Sequence, residues 1–216
     1  MSSRLRQLAR PAPVAAPAQD PQERCDLCGE VIGAEHRHLI DLRTRELLCA
    51  CTPCKILFEQ DAAGGGHFRL IPERRLALDG FELDDVRWAN LRLPVEMAFF
   101  FRNSEAERVV AYYPSPAGPT ESLLDLDAWD ELEADNPVLT TLAPDVEALL
   151  VNRVKGARRY YLVPIEDCYR LVALIRTNWR GLSGGSEVWE EIDRFFAALS
   201  SRAETVTRER EAAWPR

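Results

Sequence analysis

Cys25-Asp-Leu-Cys28 and Cys51-Thr-Pro-Cys54 are two Cys-x-x-Cys pairs separated by 22 residues. Each pair forms a tight turn that aims two sulfurs at one point, and two such knuckles let four thiolates converge tetrahedrally on a metal ion. Gly29 follows the first pair, where it relieves the turn. Between the pairs, "HRHLIDLRTRELLCA" reads as two short strands around a polar turn. This is the plan of a zinc ribbon, with a gap slightly above the usual range of roughly 15–20 residues. Zinc is the expected metal, held by Cys25, Cys28, Cys51 and Cys54. A mononuclear iron site of rubredoxin type uses the same four thiolates and is the alternative. Four protein ligands leave no open position for water, so the site is structural in form and not catalytic.

Cys49 is a fifth thiol beside this set. In an extended strand Cys49 and Cys51 point to the same face, about 7 Å apart, so only one of them joins the tetrahedron easily. Cys51 has the knuckle spacing and is preferred, with Cys49 as the alternative ligand, a buried thiol or a redox-sensitive group. His36 and His38 lie near the first knuckle and are possible substitute ligands, surface histidines being the plainer reading.

Other polar groups offer less. Cys168 falls on the apolar face of a helix with no base nearby, as a core thiol does. "GLSGGSEVW" resembles an anion-binding turn but lacks a lysine, and turn plus helix start explains it better. Arg153, Arg158 and Arg159 are read as exposed loop arginines. Trp129, Trp179 and Trp189 fit amphipathic helices as core or interface anchors, and His67 stands alone. No catalytic residues are assigned, and no cofactor other than the metal.

The elements that position these groups divide the chain. Residues 1–22 are rich in Pro, Ala, Gln and Arg and are expected to be a disordered tail. Residues 23–60 are the ribbon module and 61–67 a Gly-rich joint. Residues 68–201 are an α+β domain with a small, mainly antiparallel sheet and C-terminal helices, and 202–216 a flexible tail. "VEMAFFF" and "RVVAYYP" predict a hairpin, and "RRYYLVP" a strand ending at Pro164. "DDVRWANLRL" predicts a helix capped by Asp84, and "DAWDELEA" one capped by Asp127. "DVEALLVNR" suits helix or strand. Cys168, Leu171, Val172, Ile175 and Trp179 recur at helical spacing, as do Val188, Ile192, Phe195, Phe196 and Leu199. The three glycines of the joint predict that ribbon and domain fold separately.

The 216 residues are 46 % hydrophobic and carry a net charge of -8. Residues 103–152 hold eleven acidic residues and one basic, whereas 153–180 hold seven basic and two acidic. Ordinary solvated faces account for this asymmetry better than an interaction dipole. The overall sign disfavours a phosphate-binding surface, and so a zinc-ribbon nucleic-acid binder. No stretch reaches the roughly 20 apolar residues that span a bilayer. The N-terminus does not read as a signal peptide, so a cytoplasmic setting is expected, where clustered cysteines bind metal or act as redox thiols.

"ERCDLCGE", "HRHLIDLRTRELLCAC", "PVEMAFFFRNS", "AYYPSPAGPTESLL", "DAWDELEADNPVL", "PDVEALLVNR" and "VPIEDCYRLVALIRTNWRGLSGGSEVW" together resemble an uncharacterised actinobacterial-type family encoded beside high-affinity nickel–iron hydrogenases. The resemblance spans roughly residues 23–199. It implies an accessory role in maturation, assembly or electron handling, with a hydrogenase subunit or maturation factor as partner, and carries the cysteine pattern Cys25, Cys28, Cys49, Cys51 and Cys54. The expected function is therefore a non-enzymatic accessory protein acting through protein contacts. A rubredoxin-like iron or thiol redox protein for the same hydrogenase is the alternative.

Overall fold

The computed structural model describes residues 23–59 and 66–207. The expected N-terminal tail, most of the Gly-rich joint and the end of the C-terminal tail lie outside the described residues. A three-stranded antiparallel sheet comes first, built from β1 (Arg37–Asp41), β2 (Leu47–Ala50) and β3 (Phe68–Leu70) in the order β2-β1-β3, with α1 (Thr52–Leu57) after β2.

The second sheet has seven strands: β4 (Leu76–Asp79), β5 (Met97–Asn103), β6 (Arg108–Ser115), β7 (Gly118–Ser122), β8 (Glu147–Asn152), β9 (Arg159–Pro164) and β10 (Glu204–Thr207), ordered β10-β4-β9-β8-β5-β6-β7. All pairs are antiparallel except β10 with β4. Helices α2 (Asp85–Asn90) and α3 (Leu126–Asp135) accompany one face, and α4 (Ile165–Asn178) and α5 (Gly185–Arg202) the other.

Both faces are covered, and the strands show it. Along β5, Phe99 and Phe101 join the core under α4 and α5, while Ala98 and Phe100 join the one with Trp88 and Trp129. All six residues of β8 are buried. Burial on both faces removes the alternation that marks a one-sided strand, which is why "DVEALLVNR" is ambiguous as a sequence. The α+β class and the antiparallel pairing agree with expectation, and α4 and α5 bury the predicted apolar positions except Trp179, which follows α4 as its C-cap and is only half-buried.

Several expectations are corrected. The α3 cap is Asp125, whose carboxylate accepts the Ala128 N–H at 3.3 Å, and Asp127 lies in the first turn. Strand β7 occupies a Gly/Pro-bearing stretch to which no element is assigned from sequence. Residues 204–207, placed by sequence in a flexible tail, form β10, with Val206 buried in the core. Phe68–Leu70, placed with the larger domain, pairs instead with β1 of the ribbon.

The two sheets are pinned together. Ile40 of β1 is fully buried in the main core beside Ile71. In the turn after β1, Arg45 donates to the buried Asp145 carboxylate at 3.0 Å, and its guanidinium sits 4.9 Å from the Phe101 ring centre. The Ile71 N–H donates to the His38 carbonyl at 3.0 Å. No helix of the described residues is long and apolar enough to cross a membrane.

Candidate metal centre

Short local hydrogen bonds build the first knuckle. The Cys25 N–H donates to the Glu30 carbonyl and the Gly29 N–H to the Cys25 carbonyl, both at 2.8 Å. Gly29 has φ +77°, a left-handed conformation that a side chain would strain. A bridge between Arg24 and Val31 closes the loop. The second knuckle is a strand-to-helix turn: β2 ends at Ala50, Cys51 caps α1, and Cys54 lies in the first turn. Pro53 suits that position because the first helical N–H groups lack partners in any case.

Together these turns bring Cys25, Cys28, Cys51 and Cys54 into one group, with all four sulfurs within 4.8 Å of one another. Cys28 Sγ and Cys51 Sγ are 3.6 Å apart. Zinc–sulfur bonds of about 2.3 Å in a tetrahedron place sulfurs about 3.8 Å apart, so the donor set fits a four-thiolate ion. Cys25, Cys51 and Cys54 are buried, packed by Leu39 and Ala50 with Leu48, Phe58 and Leu70 around them. None of the six cysteines is in a disulfide.

The thiols respond unequally to this setting. Burial works to raise the Cys25 thiol, yet the backbone groups of Cys51, Leu27 and Cys28 hydrogen-bond to it and hold it down to about 6. Cys54 is pushed up to about 12 by burial and by the neighbouring sulfurs of Cys51, Cys28 and Cys25. Cys28 is also raised: the backbone hydrogen bond from Glu30 lowers it, and the adjoining Cys25 and Cys51 thiols outweigh that effect. The protein alone therefore favours the thiolate at Cys25 over those at Cys28 and Cys54. A divalent cation is what lets further thiolates share the space, and its binding releases protons.

Cys49 is not part of this group. It faces His38 across the β1–β2 pair, and its sulfur lies with one nitrogen each of His36 and His38 in a second group, all within 4.8 Å. The same-face geometry expected for Cys49 and Cys51 does not hold, because the strand ends between them and Cys51 has entered the turn into α1. The histidines are likewise gathered around Cys49 and not around the first knuckle. This grouping has a sequence signal, a His-x-His facing a cysteine across a short hairpin, that becomes specific only once the strand register is known.

The remaining candidates resolve as structure. Cys168 is fully buried in the α4 core, and burial pushes its thiol well up. Arg153 is a buried strut: it donates to the Leu83 and Asp84 carbonyls at 2.8 and 3.0 Å and to the Asp85 carboxylate, which also accepts from Arg158. From the acidic segment, Asp145 and Glu147 are buried against Arg45, Arg69 and Arg74. Part of the charge asymmetry is thus spent inside the fold. In "GLSGGSEVW" the helix start is Gly184, with Val188 and Trp179 packed against it.

The sequence model of DUF5947, a family of unknown function, matches residues 24–203, and the chain belongs to that family. No curated protein and no solved structure matches the chain.

Proposed function

We propose that this member of the DUF5947 family is a non-enzymatic accessory protein whose four-cysteine centre holds zinc, and that it acts through protein contacts in nickel–iron hydrogenase maturation or assembly. The observation that carries the metal-binding part is the convergence of Cys25, Cys28, Cys51 and Cys54 within 4.8 Å. A site closed by four protein sulfurs stabilises a fold and offers no position for substrate. Here the ion would fix the hairpin β1–β2, which seats Ile40 in the main core. The hydrogenase setting is supported by the resemblance of the sequence motifs.

Two measurements test this reading. Protein purified under reducing conditions should contain about one equivalent of zinc; stoichiometric iron with a visible thiolate-to-iron band would replace the zinc assignment by the redox alternative. A deletion strain should accumulate less nickel-loaded hydrogenase, and a copy carrying Cys25→Ser and Cys28→Ser should fail to restore it. Normal amounts of assembled enzyme that cannot pass electrons onward would overturn the assembly role.

A further inference from the structure

We propose that His36, His38 and Cys49 form a second, exchangeable metal site beside the four-thiol cluster, taking a divalent transition ion of the zinc, nickel or copper class through two imidazole nitrogens and one thiolate. One ligand atom from each of the three residues lies within 4.8 Å of the other two. A tetrahedral ion with such donors needs separations of roughly 3.3–3.7 Å, within reach of small side-chain rotations.

Hydrogen bonding around the rings supports the assignment. His36 Nδ1 lies 2.9 Å from the Gly33 carbonyl oxygen, and His38 Nδ1 lies 2.7 Å from the Glu166 carboxylate. A carbonyl and a carboxylate accept, so in each neutral ring Nδ1 carries the hydrogen and Nε2 presents a lone pair. Ligating histidines are oriented in this way, with the far nitrogen donating to a carboxylate or backbone oxygen. The His38–Glu166 contact alone is also what an ordinary ion pair looks like. It leaves His36 unexplained: that side chain is only 8 % exposed, and its Nε2 is buried with no hydrogen-bond partner. That unpartnered nitrogen belongs to a side chain grouped with a thiol and a second imidazole, and a cation among the three accounts for it.

Imidazole and thiolate are borderline to soft donors, which select late divalent transition ions over magnesium or calcium. Binding transfers the Cys49 thiol proton to solvent. With three protein donors one position stays open, and the His38 side chain is 26 % exposed, so solvent or an incoming ligand reaches the ion. The two sites are tied together: the Cys49 N–H donates to the Asp26 carboxylate at 2.6 Å, next to Cys25. The molecule would then hold one ion firmly and a neighbouring one loosely, which goes beyond a structural role for zinc.

The test uses full-length protein carrying one zinc, titrated with cobalt(II) under reducing conditions. A second ion should bind with visible d–d bands and a near-ultraviolet sulfur-to-cobalt band of one-thiolate intensity, and a weak chelator should remove it while the zinc remains. Cys49→Ser should abolish the near-ultraviolet band, His36→Ala should weaken cobalt binding at least about tenfold, and Glu166→Gln should weaken it roughly 10–100-fold. Retained zinc reports that each variant is folded, and Glu166→Gln alters no ribbon residue. Zinc-loaded protein that takes up no cobalt would overturn the proposal, as would displacement of zinc with multi-thiolate intensity, or affinity unchanged in all three variants.

Discussion

Cys49 and Cys51 are two residues apart and belong to different groups, so they separate the two proposed metal sites. Replacing Cys51 with serine removes one of four converging sulfurs and opens a knuckle. Replacing Cys49 leaves the four intact. Cys51→Ser should therefore lose the tightly bound zinc, with affinity down at least about 100-fold, and Cys49→Ser should keep one equivalent, as read by competition with a chromogenic chelator. Equal losses, or the reverse order, would show that the ligand set is drawn wrongly. The four-cysteine group was legible because Cys-x-x-Cys spacing is a local property of one turn. The Cys49–histidine group was not, because it depends on which residue of β1 faces which residue of β2. That register is set by the turn between Asp41 and Leu47, and the placing of Glu166 depends further on α4 docking nearby.

The α4–α5 junction is tightly constrained at one glycine. Gly184 has φ +88°, and a Cβ there would sit 2.8 Å from Val188 Cγ1 and 3.1 Å from the Trp179 ring. Gly181, in the same turn, has φ +61° and open space around it. Gly184→Ala combines backbone strain with overpacking and should cost about 2–4 kcal/mol, whereas Gly181→Ala should cost about 1–2 kcal/mol, compared by denaturant unfolding. Similar values for the two would mean that packing against Val188 and Trp179 contributes little. Both helices were legible, because fourteen and eighteen residues carry several repeats of the apolar stripe. Strands β3, β7 and β10 were not. Each has three to five residues, and each takes its identity from a partner strand distant in sequence or from a turn whose Gly and Pro argue for loop.

At the scale of the molecule, the ribbon and the larger sheet share a core. Ile40, β3 and the Arg45–Asp145 contact join them, and this packing predicts cooperative folding in place of the independence that a run of glycines implied. Binding free energy for a structural zinc is of order 10 kcal/mol and is linked to folding. Stripping the metal should therefore lower the melting of the whole protein as one transition, followed by circular dichroism in both the helical and aromatic regions. A main transition unmoved by chelation would restore the picture of two independent units. Strand β10 has a consequence of a different kind. It lies parallel along β4, at the rim of the large sheet, and satisfies backbone groups that would otherwise face outward. A chain cut after α5 would leave Leu76–Asp79 as a naked border, ready to recruit a strand from another molecule. Four residues with two threonines, one glutamate and one anchoring valine thus form the hem of the large sheet, so that its border is a strand with three of four side chains exposed in place of the more apolar, better buried Leu76–Asp79.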